Sequence, residues 1–347
     1  MKILLVHPGA DWSVADVHNG YGKALARAGH DVRAYNLSGR ITAAAGYLNH
    51  AWKLSHLGRD KKPSDIDTLY LAGAGIIERA LRHEVDWVFL ISGTYVMMET
   101  LVLLRRAGRK IAILLTESPY DIEREMALSR HADVIFTMER TAVEKFREEC
   151  GSVHYLRHAY DPDTHKPFEA PEGTPAHDVV FVATGFIERC KMLAGVDWTG
   201  IDFGLYGSWD LLGSRNKVRK HIGGELLYNE QTAAMYQRAK IGLNIHRSSV
   251  GFGRHTEHIE HAESVNPRVI ELAACKTFQL SDWREEMSDI FDWVPTYTNA
   301  GELEEQIRHY LASPDEREEI TEQMYQEVQG ETFDARVPTI EKALRET

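Results

Sequence analysis

Glu263-Ser264-Val265-Asn266-Pro267-Arg268-Val269-Ile270-Glu271-Leu272-Ala273-Ala274-Cys275-Lys276 is the stretch around which this chain is organised. Upstream, residues 240–245 (KIGLNI) read as a short buried strand, and 277–282 (TFQLSD) read as another. Between them Asn266 is a good helix N-cap, and Pro267 sits where the first helical residue tolerates proline. Val269, Leu272 and Ala273 fall on one helical face, with Ile270 and Ala274 beside it. Strand, loop, helix and strand in this order make one unit of a parallel α/β layer.

The polar residues of the unit carry its chemistry. A helix N-terminus offers unpaired N–H groups and the positive end of a dipole, which suits a phosphate. Arg268 adds a planar cation in the first turn. Glu271, one turn further, is a carboxylate able to accept two hydrogen bonds from the vicinal hydroxyls of a ribose. Glu263 stands on the preceding loop, seven residues intervening, placed to reach whatever hangs beyond a diphosphate. This Glu-(seven residues)-Glu spacing, followed by Leu-Ala-Ala-Cys, resembles the donor-sugar motif of retaining GT-B glycosyltransferases. The wider run Asn266-x-Arg268-x-x-Glu271-Leu-Ala-Ala-Cys…Gln279-Leu-Ser-Asp resembles their CgeB-like (spore-maturation) branch. Lys276 departs from the family, which usually ends this helix with Gly.

A length of 347 residues exceeds one ordinary core, so two domains are expected. The formal net charge of −12 argues against a constitutive polyanion binder. Cys150, Cys190 and Cys275 are widely spaced and lack a metal pattern, which fits buried thiols in a reducing cytoplasm. The opening run is too short for a signal peptide, and no stretch approaches the roughly 18 apolar residues of a spanning helix. The expected location is cytoplasmic.

Read in order, 2–6 is a buried strand, 7–22 a loop rich in Gly, Asp and His leading into a helix, and 31–36 a second strand. No Gly-x-Gly-x-x-Gly follows the first strand, so no dinucleotide cofactor is expected. Residues 41–84 read as helical around a polar interruption at 58–67. Strands at 87–92, 110–116, 133–137 and 153–156 then alternate with helices at 95–107, 121–129 and 141–149. Alternation this regular means a doubly wound parallel sheet. Pro and Gly punctuation over 158–178 marks an interdomain crossing. A second alternation follows: strand 178–183, helix 189–194, strand 202–206, helix 231–238 and the unit quoted first. Helices at 300–312, 314–329 and 335–345 close the chain. The expected fold is GT-B, two Rossmann-like doubly wound domains facing across a cleft: 1–165, with 331–347 packing back on it by resemblance, and 166–330.

Candidate residues lie at the strands' carboxyl ends. Gly185 follows the second domain's first strand, and Arg189 and Lys191 offer cations there. By resemblance a basic residue or pair at this place neutralises the departing diphosphate. Leu205-Tyr206-Gly207-Ser208-Trp209 resembles the family's strand-ending Tyr-Gly-x-Trp, with Gly207 opening space and Trp209 reading as packing. The 223–228 segment, with Tyr228, is expected at the nucleobase. Asn244 ends the next strand, and the 246–254 loop that follows suits either phosphate wrapping or a lid. The first domain is expected to hold the acceptor, through Asp11, Asp16, His18, Tyr95, Glu117 and Asp121. Glu117 stands near the place of a family His, and with Glu263 and His18 it is a candidate for the chemical step. His255, His258 and His261 share helical spacing but read as a solvated face rather than a metal site. Asp65-Ile66-Asp67 and Asp161-Pro162-Asp163 match the Asp-x-Asp text of the GT-A fold but sit in an interruption and a linker, so no catalytic metal is expected.

The resemblance implies transfer of a sugar from a nucleotide diphosphate, expected to be UDP, to a hydroxyl acceptor with retention and without a metal ion. Asn266, Arg268, Glu271 and Arg189 would hold the nucleotide and Glu263 the sugar. The acceptor class stays open among glycan, small molecule, protein and a hydroxymethylated DNA base. Alternatives are a UDP-sugar 2-epimerase of the same fold and a nucleotide-sugar-binding module without catalysis.

Overall fold

The structure, a computed structural model, describes residues 1–10, 14–55, 61–224 and 227–347. They divide into two compact units, Met1–Arg157 with Phe333–Thr347, and His158–Thr332.

Unit 1 runs β1 (Lys2–Val6), α1 (Ala15–Arg27), β2 (Asp31–Tyr35), α2 (Leu37–Leu54), α3 (Asp65–Arg82), β3 (Trp87–Ile91), α4 (Met98–Arg106), β4 (Lys110–Leu115), α5 (Ile122–Ser129), β5 (Val134–Thr137), α6 (Val143–Arg147) and β6 (Val153–Tyr155). The sheet order is β2-β1-β3-β4-β5-β6, every pair parallel. Helices cover both faces, so β3 (WVFLI) is buried at every position. Each such side chain contributes on the order of 2 kcal/mol relative to exposure.

Unit 2 repeats the plan with β7 (His177–Val182), α7 (Ile187–Ala194), β8 (Phe203–Tyr206), β9 (Ile222–Gly224), α8 (Asn229–Arg238), β10 (Ala239–Asn244), α9 (Pro267–Ala274), β11 (Gln279–Asp282), β12 (Thr296–Tyr297), α10 (Ala300–Ala312) and α11 (Pro314–Glu327). Its order is β12-β11-β10-β7-β8-β9, again all parallel. The last helix, α12 (Phe333–Glu346), belongs to unit 1 and lies on α1. Arg27 pairs with Asp334 at 2.5 Å, His30 with Glu341 at 2.7 Å, and Tyr21 meets Phe333 edge-on at 4.8 Å.

Several expectations shift. The units divide at 157/158 and 332/333 rather than 165/166 and 330/331. Tyr160 donates its N–H to Glu331 O at 3.0 Å and bridges Thr332, which ties the crossing segment to unit 2. The expected 7–22 loop is shorter, because α1 begins at Ala15 and includes two glycines. Gly20 is there for packing: a Cβ on it would lie 2.2 Å from the Phe333 ring. Helix α3 starts inside the expected polar interruption, where Asp67 and Ser64 form a reciprocal capping box. Lys276 takes the left-handed conformation (φ +56°) that Gly would adopt without strain, and its Nζ pairs with Glu322 at 2.5 Å.

Candidate active site

Parallel strands present their carboxyl ends along one edge of the sheet, and in unit 2 the polar side chains converge there. Asn244, the last residue of β10, is fully buried. Its Oδ1 accepts from Asn266 Nδ2 (2.8 Å) and Arg268 Nη1 (2.9 Å), and its Nδ2 donates to Ser281 Oγ (2.8 Å). Arg268 Nη2 reaches across to Val182 O at the end of β7, 2.8 Å away. Arg189, buried in α7, donates Nε to Ile245 O and Nη1 to Thr184 O, both at 2.9 Å. Both guanidinium groups flank the Phe181 ring, Arg268 at 5.1 Å and Arg189 at 5.9 Å. Two fixed cations therefore stand at one strand edge beside the start of α9.

Asn266 occupies the N-cap position of α9, but its side chain does not cap the helix. It turns to Asn244 instead, which leaves the first-turn amides without a side-chain partner. Asn266 Oδ1 and Arg268 Nε are buried with no hydrogen-bond partner among the described residues. Glu271 follows on the next turn, partly exposed, with His165 Nε2 at 3.9 Å from its Oε1. Glu263 is partly buried on the loop before α9, and its carbonyl accepts the Glu286 N–H at 3.0 Å. The Glu286 carboxylate, wholly buried, accepts the Val265 N–H at 2.9 Å, so the loop carrying Glu263 is fastened at two points.

The glycines serve packing more than ligand space. A Cβ on Gly185 would lie 2.6 Å from the Trp209 ring, and its N–H donates to Ser208 O at 2.6 Å. Gly207 has φ +105°, and a Cβ there would lie 2.1 Å from Ala183 O. Trp209 is buried against Phe181, as read from the sequence. Lys191 and Tyr228 are not gathered into the network. Lys191 is exposed in the last turn of α7, and Tyr228 is 69% exposed at the N-cap position of α8.

Sequence reasoning did not single out four members of the edge. Glu188 binds the 246–254 loop, accepting from the amides of Ser248 (2.8 Å) and Ser249 (3.2 Å) and from Ser249 Oγ. Burial alone would raise its pKa, but these hydrogen bonds outweigh burial and hold the carboxyl below its ordinary value. His246 Nδ1 lies 2.6 Å from Asp282 Oδ1, and the His246 amide donates to both Asp282 oxygens at 2.9 and 3.1 Å. Arg284 donates to Ala262 O and Arg247 O, joining the two ends of the excursion between β10 and α9. In the structure β10 pairs with β11 through Asn244 and Ser281, so His246 and Asp282 emerge at the same edge.

In unit 1, Gly9 and Tyr95 follow β1 and β3 and pack together, a Cβ on Gly9 meeting Tyr95 at 2.8 Å. Ser92 takes φ +66° at the end of β3. Glu125, wholly buried, accepts from the Glu117 N–H (2.8 Å) and Ser118 Oγ, and thereby shapes the loop carrying Glu117 and Asp121. Burial pushes the Glu125 carboxyl up to about 8. His18 lies within α1, buried, its ring edge-on to His7 at 5.1 Å and its pKa lowered by burial. Asp16 stands in the first turn of α1, whereas Asp11 lies outside the described residues. Among the described residues no group of three or more His, Cys, Asp or Glu is arranged to hold a metal ion. None of their helices is long and apolar enough to cross a membrane.

The family model described as "Glycosyl transferase-like" matches residues 186–342. Spore protein CgeB of Bacillus subtilis (strain 168) is 25% identical over 264 residues, 72% of this chain and 80% of CgeB. Solved structures share the fold at low identity. An α,α-trehalose-phosphate synthase (UDP-forming) from Burkholderia xenovorans superposes with a TM-score of 0.62 at 11% identity, over 99% of this chain and 100% of that one. An α-glucosyltransferase, in complex with UDP and a 13-mer DNA containing an HMU base, gives 0.61 at 11% identity over 99% and 98%. A putative UDP-N-acetylglucosamine 2-epimerase from Listeria monocytogenes gives 0.60 at 13% identity over 100% and 97%. With two six-stranded parallel sheets the chain has the GT-B fold, and its sequence match, centred on the unit that bears Arg189, Arg268 and Glu271, makes it similar to CgeB-like glycosyltransferases.

Proposed function

We propose that the chain moves a sugar from a UDP-linked donor to a hydroxyl acceptor, with retention of configuration and without a metal ion. The observation that carries this reading is the start of α9. Asn266 turns away from the amides it would otherwise cap, while Arg268 and Arg189 stand fixed beside them. A helix start with no side-chain cap, its dipole and two guanidinium groups are together suited to a diphosphate. They also suit the charge that develops as the nucleotide leaves, the role a divalent cation plays in other transferases. Glu271, one turn on, would receive the ribose hydroxyls, and Glu263 on its fastened loop the hydroxyls of the sugar.

In unit 1 the first turns of α1 supply Asp16 and His18, and the loops after β3 and β4 supply Tyr95, Glu117 and Asp121, which we assign to the acceptor, with Glu117 the candidate proton acceptor. The acceptor hydroxyl belongs to a glycan, small molecule, protein or hydroxymethylated base, and the formal charge of −12 weighs against the last. Three cysteines, all unpaired and buried, support a reducing, cytoplasmic setting. The test is to incubate the full chain with UDP-glucose and UDP-N-acetylglucosamine and follow products by NMR. Free UDP, formed slowly with water and faster with acceptor, is expected. A C2 epimer without UDP release would make the chain an epimerase, and neither product would make it a binding module.

A further inference from the structure

His246 and Asp282 sit at the carboxyl ends of β10 and β11 and form a close side-chain pair, 2.6 Å apart, outside the Asn244 network. Asp282 receives the His246 amide on both oxygens and the ring Nδ1 at 2.6 Å, so the ring cannot rotate without losing its partner. Burial would raise the Asp282 carboxyl, but His246 and its hydrogen bonds outweigh burial and keep it below its ordinary range, hence ionised. Burial lowers the His246 imidazole, more than Asp282 raises it, and Arg284 and Arg189 act in the same direction as burial, so the ring is neutral. An ionised carboxylate only accepts, so Nδ1 carries the ring proton and Nε2 carries a lone pair. Asn244 Nδ2, which donates to Ser281 at 2.8 Å, lies 3.4 Å from Nδ1, and the much shorter contact to Asp282 at 2.6 Å decides the tautomer. Nε2 is buried with no hydrogen-bond partner among the described residues.

We propose that His246 is a ligand-contacting acceptor, its Nε2 lone pair left open by Asp282 to receive a hydroxyl of the donor's sugar. The inference rests on the functional reading above and adds a specificity residue to it. A neutral imidazole lone pair repels phosphate oxygens, which are themselves acceptors, and pairs with an O–H. The residue is 4% exposed, so little water competes for that lone pair. Strand order separates it from the nucleobase. β10 and β11 lie on one side of β7, whereas Gly207 and Tyr228, assigned to the base side, follow β8 and β9 on the other. The sugar-side loop bearing Glu263 shares the β10–β11 side, since it joins these strands through α9.

The Asp282→Asn substitution tests this without a change of shape. Its oxygen still accepts the His246 amide, while its N–H₂ donates to Nδ1 and drives the ring proton to Nε2, turning the acceptor into a donor. By calorimetry with UDP and with UDP-glucose or UDP-N-acetylglucosamine, we expect UDP affinity to stay within about twofold and UDP-sugar affinity to fall by about tenfold or more. UDP-sugar affinity as in the wild type, or equal losses for UDP and UDP-sugar, would overturn the proposal. The tautomer is read independently of any ligand from long-range 1H–15N correlations of the 15N-histidine-labelled full chain at pH 7, His246 being assigned by its loss in His246→Gln. A proton on Nδ1 is expected, and a proton on Nε2 refutes the inference whatever the chain binds. Should the wild-type chain bind neither UDP nor a UDP-sugar, the functional reading fails, and with it the ligand assigned to His246.

Discussion

Arg268 Nη1 lies 2.9 Å from Asn244 Oδ1, and this contact joins the end of β10 to the first turn of α9. The same amide oxygen takes Asn266 Nδ2, and the amide nitrogen holds Ser281 on β11. One buried side chain thus sets the entry of α9 and the position of a cation. Asn244→Ala leaves three buried groups without their partner. The expected loss is about 2–4 kcal/mol of unfolding free energy in urea titration. A loss below about 0.5 kcal/mol would mean that the network is not what fixes α9.

Glu125 makes stability depend on pH in an unusual direction. Burial raises its folded-state pKa from 4.5 to about 8, so the folded chain keeps a proton that the unfolded chain releases. The contribution is fully present below the unfolded value near 4.5 and is lost as pH rises through about 8. Its size is on the order of a few kcal/mol. Chemical denaturation at pH 5 and pH 8.5 should show a smaller fall for Glu125→Gln than for the wild type. Equal falls in both would place the proton elsewhere.

Lys276→Gly should stabilise the chain. The left-handed backbone at Lys276 costs a residue with a Cβ about 1 kcal/mol, and the ion pair lost with Glu322 is between two well-exposed groups. A rise of roughly 1 kcal/mol is expected in urea titration, with Lys276→Ala giving no gain because it keeps the Cβ.

Most strands were legible because a doubly wound parallel sheet is buried on both faces and its strands are continuous apolar runs. β9 and β12 were not. They are edge strands of three and two residues, and β9 carries two glycines, so neither has an apolar run to read. The start of α1 was hidden by Gly20 and Gly22, whose residue type signals a loop, although Gly20 is there to admit Phe333. At the site, Asn266, Arg268 and Glu271 declared themselves by type and spacing. That Asn266 would serve Asn244 rather than its own helix was not readable, because its partner is 22 residues away across a loop. The His246–Asp282 pair spans 36 residues and appears only once the register of β10 on β11 is known.

The central claim, that the start of α9 with Glu271 holds a nucleoside diphosphate, is tested most directly by calorimetry of UDP against the wild type and Glu271→Ala. Removing two hydrogen bonds to the ribose, each worth on the order of 1 kcal/mol, predicts about thirtyfold weaker binding in a variant with unchanged urea stability. The same UDP affinity in a folded Glu271→Ala variant would contradict the account.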